Sequence, residues 1–431
     1  NPHGVTKAQV GLGNVDNTSD TDKPISTAGQ VALNSKADKT TTYTKVEVVE
    51  ILADRLDPRA QYTSFYGLNW DQTADEYTRT GASNYTAIQS MMKRCVLNAD
   101  GSVNYYLDPF DSTKKTDGTA ANLDGTDGNV MVEVPKFYYG YNYLTTGNTI
   151  HSHSVSLNSS DGYPVHWAFV KDGVEVDYRY YPAYLGHNDG GVLKSISGVY
   201  PTTSISRTTA RTYAEANGTG WHQIDFALYE AITLLMIIEY GTMNIQSALG
   251  QGRTALSGGS WTGGSYIGIN GLSNSDGNGT NNVTYTGNAN DAAADGSYMT
   301  YRGCENFFGN VWKWLDGINI NERKYHLSNS PATFDDTSLT TNGYTDSGVT
   351  GGSANGYARE LANTSKGFIP VSVSGGSSST GTTDYYYQNT GLRAAIVGGN
   401  ASNGLSAGPL CLYGYYAASY VAATIGAGVS R

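Results

Sequence analysis

Regular alternation of apolar and polar positions is confined to a few segments of this 431-residue chain. Val130–Val134 has apolar residues at every second position and is followed by Pro135, which predicts a short strand. Asp225–Tyr240 begins with a capping Asp, ends before Gly241 and is apolar on most sides, which predicts a helix covered on more than one face. Asn84–Arg94 has apolar residues at helical spacing and predicts a second helix.

Residues 1–60 differ in composition from the rest of the chain. Most of their side chains are small and polar, and the aliphatic side chains are isolated. Such a segment cannot bury itself alone. Within it, Thr41–Asp57 has apolar residues three and four positions apart over about two heptads, which predicts a helix. The stripe is too short for an isolated coiled coil, so it either packs against copies of itself in a fibre or forms one amphipathic helix of a linker.

The remaining chain is predicted to be one large α+β region with long loops. A β-rich first part covers residues 61–219, and a second part covers 220–431. Tracts of Gly, Ser, Asn and Thr, such as 257–265 and 372–383, interrupt the apolar segments. We expect them to be surface loops because the segments beside them need one another for burial.

Composition favours recognition over metabolism. The chain has 34 Tyr, only 9 Phe, and 53 Gly, a mixture typical of contact surfaces. Its formal charge of −11 disfavours binding to nucleic acid or to an anionic membrane, since both need a positive field. The longest apolar run, within Ala231–Ile238, is too short to insert into a membrane. Cys95, Cys304 and Cys411 are far apart, which indicates neither a disulfide framework nor a zinc site.

Two stretches of the N-terminal segment resemble repeats of phage tail fibres. Gly11–Thr27 is similar to the pattern GLGNVDNTSDxDKPIST, and Ala32–Lys45 is similar to ALNxKADKxTTYTK. The resemblance implies a shaft or collar element of a homotrimeric virion protein. It also implies that upstream phage tail proteins attach through sequence before Asn1, and that the chain, made in the host cytoplasm, lies at the tail-fibre tip.

A tryptophan pair marks the second part of the chain. In a strand, Trp312 and Trp314 would point to one face and enter the core, while Asn310 could tie a turn. The run containing them resembles the GNVWEW signature of the C-type-lectin fold in its formylglycine-generating-enzyme branch, with Lys313 in place of Glu. With Trp221, and a closing strand at 391–400, the resemblance implies a lectin-like domain over residues 220–431 whose ends lie close together.

The last segment is the candidate binding surface. Residues 394–430 contain no charged residue, and residues 401–424 are rich in Tyr and small side chains. The segment resembles the variable regions of proteins diversified by phage retroelements, a class that includes the major tropism determinant. A buried Gly/Ala-rich strand pair is the alternative. The binding positions implied by the resemblance are Ser402, Leu405, Ser406, Pro409, Cys411, Tyr413, Tyr415, Tyr416, Tyr420 and Val421.

Taken together, the composition favours recognition, and the resemblances imply a non-enzymatic, homotrimeric receptor-binding protein that recognises a protein or glycan on a bacterial surface. A tail-tip enzyme, either a surface depolymerase or a formylglycine-type oxidase, is one alternative. The oxidase needs paired thiols, and Cys411 has no partner nearby in sequence. A purely structural collar protein is the other alternative.

No cofactor is expected, although two segments have the residue types of metal ligands. His151 and His153 would share one face of a strand, as in fibres where such a pair from each of three chains binds iron. Two surface histidines in a loop are the simpler interpretation. Asp124–Asn129 has oxygen ligands at the close spacing of a calcium loop but lacks the terminal Glu of an EF-hand, and Asp-Gly pairs also form ordinary turns.

Overall fold

The computed structural model describes residues 4–6, 8–11, 65–144 and 149–431. The chain divides into two compact units, Asn1–Gln61 and Tyr62–Arg431. The predicted helix Thr41–Asp57 and, apart from Gly11, the fibre-like stretches lie outside the described residues. The described structure is mostly β-sheet and 14% helical, so it is richer in strands than the predicted α+β class suggests.

The first half of the larger unit contains two four-stranded antiparallel sheets. The first sheet has the order β2-β1-β7-β6, with β1 Tyr66–Asp71, β2 Glu76–Gly81, β6 Tyr138–Tyr143 and β7 Ile150–Ser156. The second has the order β10-β5-β3-β4, with β3 Lys93–Leu97, β4 Val103–Tyr106, β5 Asn129–Pro135 and β10 Tyr178–Pro182. Strand β5 confirms the prediction from the alternating valines.

The helix predicted over Asn84–Arg94 is wrong. The segment has one 3₁₀ turn, Gln89–Met91, after which Met92 is extended and β3 begins. Its apolar side chains are nevertheless buried, because Ile88 and Met92 belong to the main hydrophobic core. Long-range packing therefore uses these side chains without the helix that their spacing favours.

The largest sheet has eight strands. Seven follow the order β21-β20-β19-β26-β27-β25-β22, and β28 pairs in parallel with β19. Their bounds are β19 Trp312–Asn321, β20 Lys324–Leu327, β21 Thr345–Thr350, β22 Gly356–Tyr357, β25 Tyr385–Gln388, β26 Leu392–Gly398, β27 Gly408–Gly414 and β28 Ile425–Gly426. The predicted tryptophan strand and closing strand are therefore β19 and β26.

Short strands connect and close the structure. The two-stranded pairs are β8 Val170–Lys171 with β9 Val174–Glu175, β11 His187–Asp189 with β12 Val192–Lys194, β14 Leu256–Ser257 with β16 Gly287–Asn288, and β23 Glu360–Thr364 with β24 Gly367–Ser372. A three-stranded sheet contains β15 Asn281–Val283, β17 Tyr298–Tyr301 and β18 Cys304–Glu305. The last pair joins β13 His222–Gln223 to the C-terminal β29 Val429–Ser430.

The helices in the described residues are α1 Arg207–Glu215, α2 Phe226–Tyr240, α3 Ile245–Leu249 and α4 Ala292–Asp295. The carboxylate of Asp225 caps α2 by accepting from the Leu228 N–H at 3.0 Å, and Gly241 ends the helix with a φ of 70°. Every residue from Phe226 to Ile238 is buried. This confirms the predicted helix and its burial on more than one face.

One main hydrophobic core serves the whole larger unit. It combines Tyr66, Leu68 and Trp70 of the first sheet with apolar residues of α2 and with Leu410 and Leu412 of the last sheet. The parts before and after residue 220 thus share a core instead of folding around separate ones. The eight-stranded sheet, which we call the C-terminal sheet, packs against this core with one face, its inner face. Its outer face carries the site described next.

Candidate functional site

The two faces of the C-terminal sheet have different partners because side chains alternate along each strand. On the inner face, Leu412 of β27 and Tyr386 of β25 enter the main core. On the outer face, a smaller cluster contains Trp312, Trp314, Ala394, Ile396, Cys411 and Ile425. This cluster forms a base for the tyrosines that lie over it.

Seven tyrosines form a continuous band over this base, which we call the tyrosine surface. Its members are Tyr357, Tyr385, Tyr387, Tyr413, Tyr415, Tyr416 and Tyr420. Ring centroids are 4.3 Å apart between Tyr387 and Tyr413, and 3.8 Å apart in the stacked pair of Tyr416 and Tyr420. Trp312 supports the middle of the band, with its ring 5.4 Å from that of Tyr413.

The tyrosine surface is open to solvent along one edge. Tyr415 and Tyr420 are 40% and 39% exposed, and the other five rings are half-buried. Burial raises the pKa of Tyr387 to about 12 and also raises the pKa values of Tyr413 and Tyr416. These three phenols are therefore neutral at physiological pH. Each can donate and accept a hydrogen bond while its ring offers apolar area.

The ten predicted binding positions do not all reach this surface. Ser402, Leu405, Tyr415, Tyr420 and Val421 are exposed, whereas Ser406, Tyr413 and Tyr416 are half-buried. Pro409 and Cys411 are buried. We therefore remove these two from the candidate set.

The burial of Pro409 and Cys411 follows from the geometry of β27. The Pro409 carbonyl oxygen accepts a hydrogen bond from the Tyr229 hydroxyl of α2 at 2.8 Å, so this part of the strand packs on the helix. The Cys411 side chain belongs to the cluster that contains Trp312 and Trp314, beneath the tyrosines. Strand pairing decides which side chain is covered, and residue type gives no signal of it.

Sequence reasoning missed three members of the surface, Tyr357, Tyr385 and Tyr387. They lie outside residues 401–424. Tyr385 and Tyr387 join the band because β25 pairs in parallel with β27, with Tyr387 opposite Tyr413, and Tyr357 joins because β22 pairs with β25, with Tyr357 opposite Tyr385. The hydroxyl of Tyr357 also lies 3.4 Å from that of Ser406. The alternation in Tyr385–Gln388 was the available signal, since it puts Tyr385 and Tyr387 on one face and Tyr386 on the other.

The loop that carries the exposed tyrosines is fixed by its backbone. The carbonyl oxygens of Tyr416, Ala418, Ala422 and Thr424 accept from backbone N–H groups elsewhere in the chain, at 2.9–3.0 Å. The donors are Ala394, Arg207, Ser204 and Trp312. Since these bonds use no side-chain atom of the loop, they can form whichever side chains its exposed positions carry.

The segment around Ser402 and Leu405 is fixed in the same manner. The Gly404 N–H donates to the Thr254 carbonyl at 2.7 Å, and the Ala401 N–H donates to the Asn310 carbonyl at 3.0 Å. The side chain of Asn310 exchanges two further hydrogen bonds with the backbone of Gly268, at 2.9 and 3.2 Å. Asn310 thus ties a long loop to the tryptophan strand through a residue 42 positions away, and these bonds do not close the local turn that the sequence predicts.

The predicted scaffold tryptophans are buried. The Trp314 indole N–H donates to the Ile205 carbonyl at 2.9 Å, and that of Trp221 donates to the Ala99 carbonyl at 2.7 Å. Both bonds cross long stretches of chain. Trp314 thereby fixes the base of the site, whereas Trp221 belongs to a separate buried cluster.

Three ionisable side chains that lie beneath the tyrosine surface are buried, those of Lys313, Asp384 and Cys411. The Lys313 ammonium donates to the Asn306 and Val311 carbonyls at 3.2 and 3.3 Å, and burial lowers its pKa to about 7. The Asp384 carboxylate accepts from the Leu410 N–H at 2.7 Å, and burial raises its pKa well above its ordinary value. Burial also raises the pKa of the Cys411 thiol. A buried protonated thiol is a poor nucleophile, unlike the reactive thiol that an oxidase requires.

His151 and His153 lie on a strand and are buried. This position fits neither of the two interpretations made from the sequence, which are iron binding on a fibre axis and two surface histidines in a loop. They lie on β7 and are 1% and 0% exposed. Their Nδ1 atoms lie 3.0 and 2.9 Å from the hydroxyls of Tyr141 and Tyr139. Burial lowers the pKa of each imidazole, to about 4 and about 3. Buried rings cannot meet copies from other chains.

The calcium-like segment forms hydrogen-bonded turns. Asp124 Oδ1 accepts from both the N–H and the hydroxyl of Thr126, at 2.9 and 2.8 Å, and Asp127 accepts from the Tyr105 hydroxyl at 2.8 Å. Across residues 65–144 and 149–431, no three His, Cys, Asp or Glu side chains converge as metal ligands.

No family model matches the sequence, and no curated protein matches it. Among the described residues, no helix combines the length and apolar character that crossing a bilayer requires. The geometry of the tyrosine surface is therefore the main guide to function.

Proposed function

We propose that this chain is the receptor-binding part of a phage tail fibre and that it binds a molecule on the bacterial surface through the tyrosine surface. The observation that carries the proposal is the seven-ring band over a buried tryptophan base, with Tyr415 and Tyr420 open to solvent. Rigid aromatic rings provide contact area at a small cost in side-chain entropy, and neutral hydroxyls adapt to either donors or acceptors.

A lectin-like organisation of residues 220–431 is part of the proposal. It is supported by the pairing of β13 with β29, which brings the beginning and end of this region together. It is also supported by the long buried helix α2 beside the sheet and by Trp312 and Trp314 on one face of β19. The closeness of the two ends is the feature that the sequence resemblance implies, and the helix and the tryptophan strand are those that the residue pattern predicts.

Diversification by a retroelement is the second part of the proposal. A segment whose side chains vary needs a path that does not depend on them, and backbone hydrogen bonds hold residues 416–424 in this way. The exposed positions of 401–424 are then the variable contacts. Tyr357, Tyr385 and Tyr387 lie outside the segment and form a constant part of the same surface.

In a trimeric fibre, three such surfaces would act together. A second and third contact made by one tip is effectively intramolecular, so avidity can exceed single-site affinity by about 10²–10⁴. The fibre-like N-terminal resemblance is the basis for the trimer and for attachment to upstream tail proteins. Weak single-site binding to a protein or glycan would then be sufficient for adsorption.

The experiment replaces the two most exposed rings in the full chain, as Tyr415→Ser with Tyr420→Ser. Binding of the labelled protein to intact cells of a strain that the phage infects should weaken about 30-fold or more, because the two most exposed aromatic contacts of the tyrosine surface are removed. Phe110→Ser is the matched control, since Phe110 is 80% exposed on a separate loop and its loss should leave binding unchanged.

Equal binding of the double variant and the unmodified chain would contradict the proposal and favour a structural collar. Loss of binding accompanied by a lower melting temperature would show instead that the rings stabilise the fold. The melting temperatures of the double variant and the Phe110→Ser control are therefore measured alongside binding.

A further inference from the structure

A second concave site lies far from residues 401–424 in sequence, on the outer face of the first sheet. The strand register aligns two rows of side chains there. One row contains Thr78, Asn69, Ser152 and Asn142, and the adjacent row contains Thr80, Gly67, Ser154 and Gly140. All eight residues are uncharged and either small or hydrogen-bonding. The opposite face carries Leu68, Trp70 and His153, which enter the interior.

The second row includes two glycines, and an aromatic ring fills the space over one of them. A Cβ atom at Gly140 would overlap the ring of Tyr163, which lies against this strand. Phe65 packs edge-on against Tyr163, with ring centroids 5.7 Å apart, so the two rings form a wall beside the polar rows. The resulting cavity has a volume of about 590 Å³, within the range of small-molecule sites.

Two residues that line this cavity each have a side-chain oxygen without a hydrogen-bond partner. The Asn69 Oδ1 and Thr80 Oγ1 atoms are buried and make no hydrogen bond within the described protein. Both residues line the cavity. A buried polar atom without a partner destabilises the fold, so such atoms are normally satisfied by a ligand or by ordered water.

The lining selects the chemistry of a ligand. It contains no Lys, Arg, Asp, Glu or His, so neither an anion nor a cation would find a countercharge. It combines hydroxyl and amide groups with the rings of Phe65 and Tyr163. A ligand that suits both must have closely spaced neutral hydroxyls and an apolar face, and a pyranose ring has these features.

We propose that this cavity binds a neutral saccharide, and that it does so independently of the tyrosine surface. Sugar hydroxyls would hydrogen bond to Asn69 and Thr80, and a C–H face of the ring would pack against Tyr163. The site gives the chain a second means of holding a glycan-coated surface. It does not depend on the proposed role of Tyr415 and Tyr420.

The test is saturation-transfer NMR on the full chain with glucose, galactose, mannose and N-acetylglucosamine as separate probes. We expect transfer to at least one of them and no stronger transfer to glucuronic acid. Thr80→Val, which keeps shape but removes the hydroxyl, should weaken the interaction about tenfold. Thr340→Val is the control, because it makes the same change at an exposed threonine on a separate loop outside the cavity.

A second variant, Tyr163→Leu, tests the ring contact and remains informative if Thr80→Val fails to fold. The Tyr415→Ser, Tyr420→Ser variant should retain the saccharide signal, which separates this proposal from the first. Absence of transfer to all four neutral sugars would overturn it. So would equal signals from the unmodified chain, Thr80→Val and Tyr163→Leu, because the sugar would then bind elsewhere.

Discussion

Individual buried side chains of this protein have protonation states that differ from those in the unfolded chain. Glu230 of α2 is 4% exposed, and its carboxylate accepts from the Phe368 N–H at 3.0 Å. Burial raises the pKa of Glu230 from 4.5 to about 8. His153, close to the same Phe368 ring, has the opposite behaviour, because burial lowers its pKa from 6.5 to about 3.

Glu230 should therefore make the folded state less stable as pH rises. Between about pH 4.5 and 8 the folded protein keeps a proton that the unfolded chain releases, so stability is full below that window and is lost through it. Relative to Glu230→Gln, which does not titrate, the free energy of unfolding should fall by about 1.4 kcal/mol per pH unit.

Urea unfolding of both proteins at about pH 6.5 and pH 7.5 measures this difference. Buried histidines such as His153 are neutral in the folded state at both values, and the comparison with Glu230→Gln subtracts titration elsewhere in the chain. A constant difference between the two proteins would mean that Glu230 is ionised in the folded state.

At the scale of the element, Asp225 stabilises helix α2 in two ways, as its N-terminal cap and as the partner of a buried arginine. Asp225 caps the helix through the Leu228 N–H at 3.0 Å and also pairs with Arg179 at 2.6 Å. Both charged side chains are 1% exposed. The Arg179 guanidinium is the larger cause among those that lower the pKa of this carboxyl, against the opposing effect of burial.

Asp225→Asn should destabilise the protein by about 3–5 kcal/mol, although Asn is as good a helix cap as Asp. The loss arises because the buried Arg179 charge remains without its partner. Asp189→Asn breaks a pair of the same 2.6 Å length at the surface, where Asp189 is 58% exposed, and should change stability by at most about 1 kcal/mol. Chemical denaturation compares the two, and equal small losses would mean that capping is the only contribution of Asp225.

At the scale of the whole molecule, the tertiary structure divides residues 401–424 into positions that can vary and positions that cannot. Val421 is 51% exposed, whereas Cys411 is fully buried beneath the tyrosine surface. The backbone hydrogen bonds that hold the loop involve no side-chain atom. The cluster around Trp312 and Trp314 is packed, so a side chain that enters it must have the right size.

Placing a tyrosine at Val421 and, separately, at Cys411 tests this difference through the free energy of unfolding. Val421→Tyr should change the free energy of unfolding by no more than about 0.5 kcal/mol, because the ring extends into solvent. Cys411→Tyr should destabilise by about 1–3 kcal/mol or more, because a filled cluster must rearrange. Thermal unfolding of the two variants checks this, and equal tolerance would show that the base of the site is not packed as described.

Several features followed from the sequence because they depend on neighbours along the chain. The cap at Asp225, the stop at Gly241 and the spacing between them define α2, and alternation before Pro135 defines β5. The uncharged, tyrosine-rich end of the chain was visible as composition. Local geometry and caps act over a few residues, so a one-dimensional pattern is sufficient to predict such elements.

Only the tertiary structure decided which of these residues meet. The parallel pairing of β25 with β27 brings Tyr387 to Tyr413, and the same pairing determines that Cys411 lies under the rings. The polar rows of the second site likewise exist because β1 and β7, which are far apart in the chain, pair in register. Register between strands is fixed by burial across the whole sheet, and one residue of slip would exchange its faces, so no local pattern contains it.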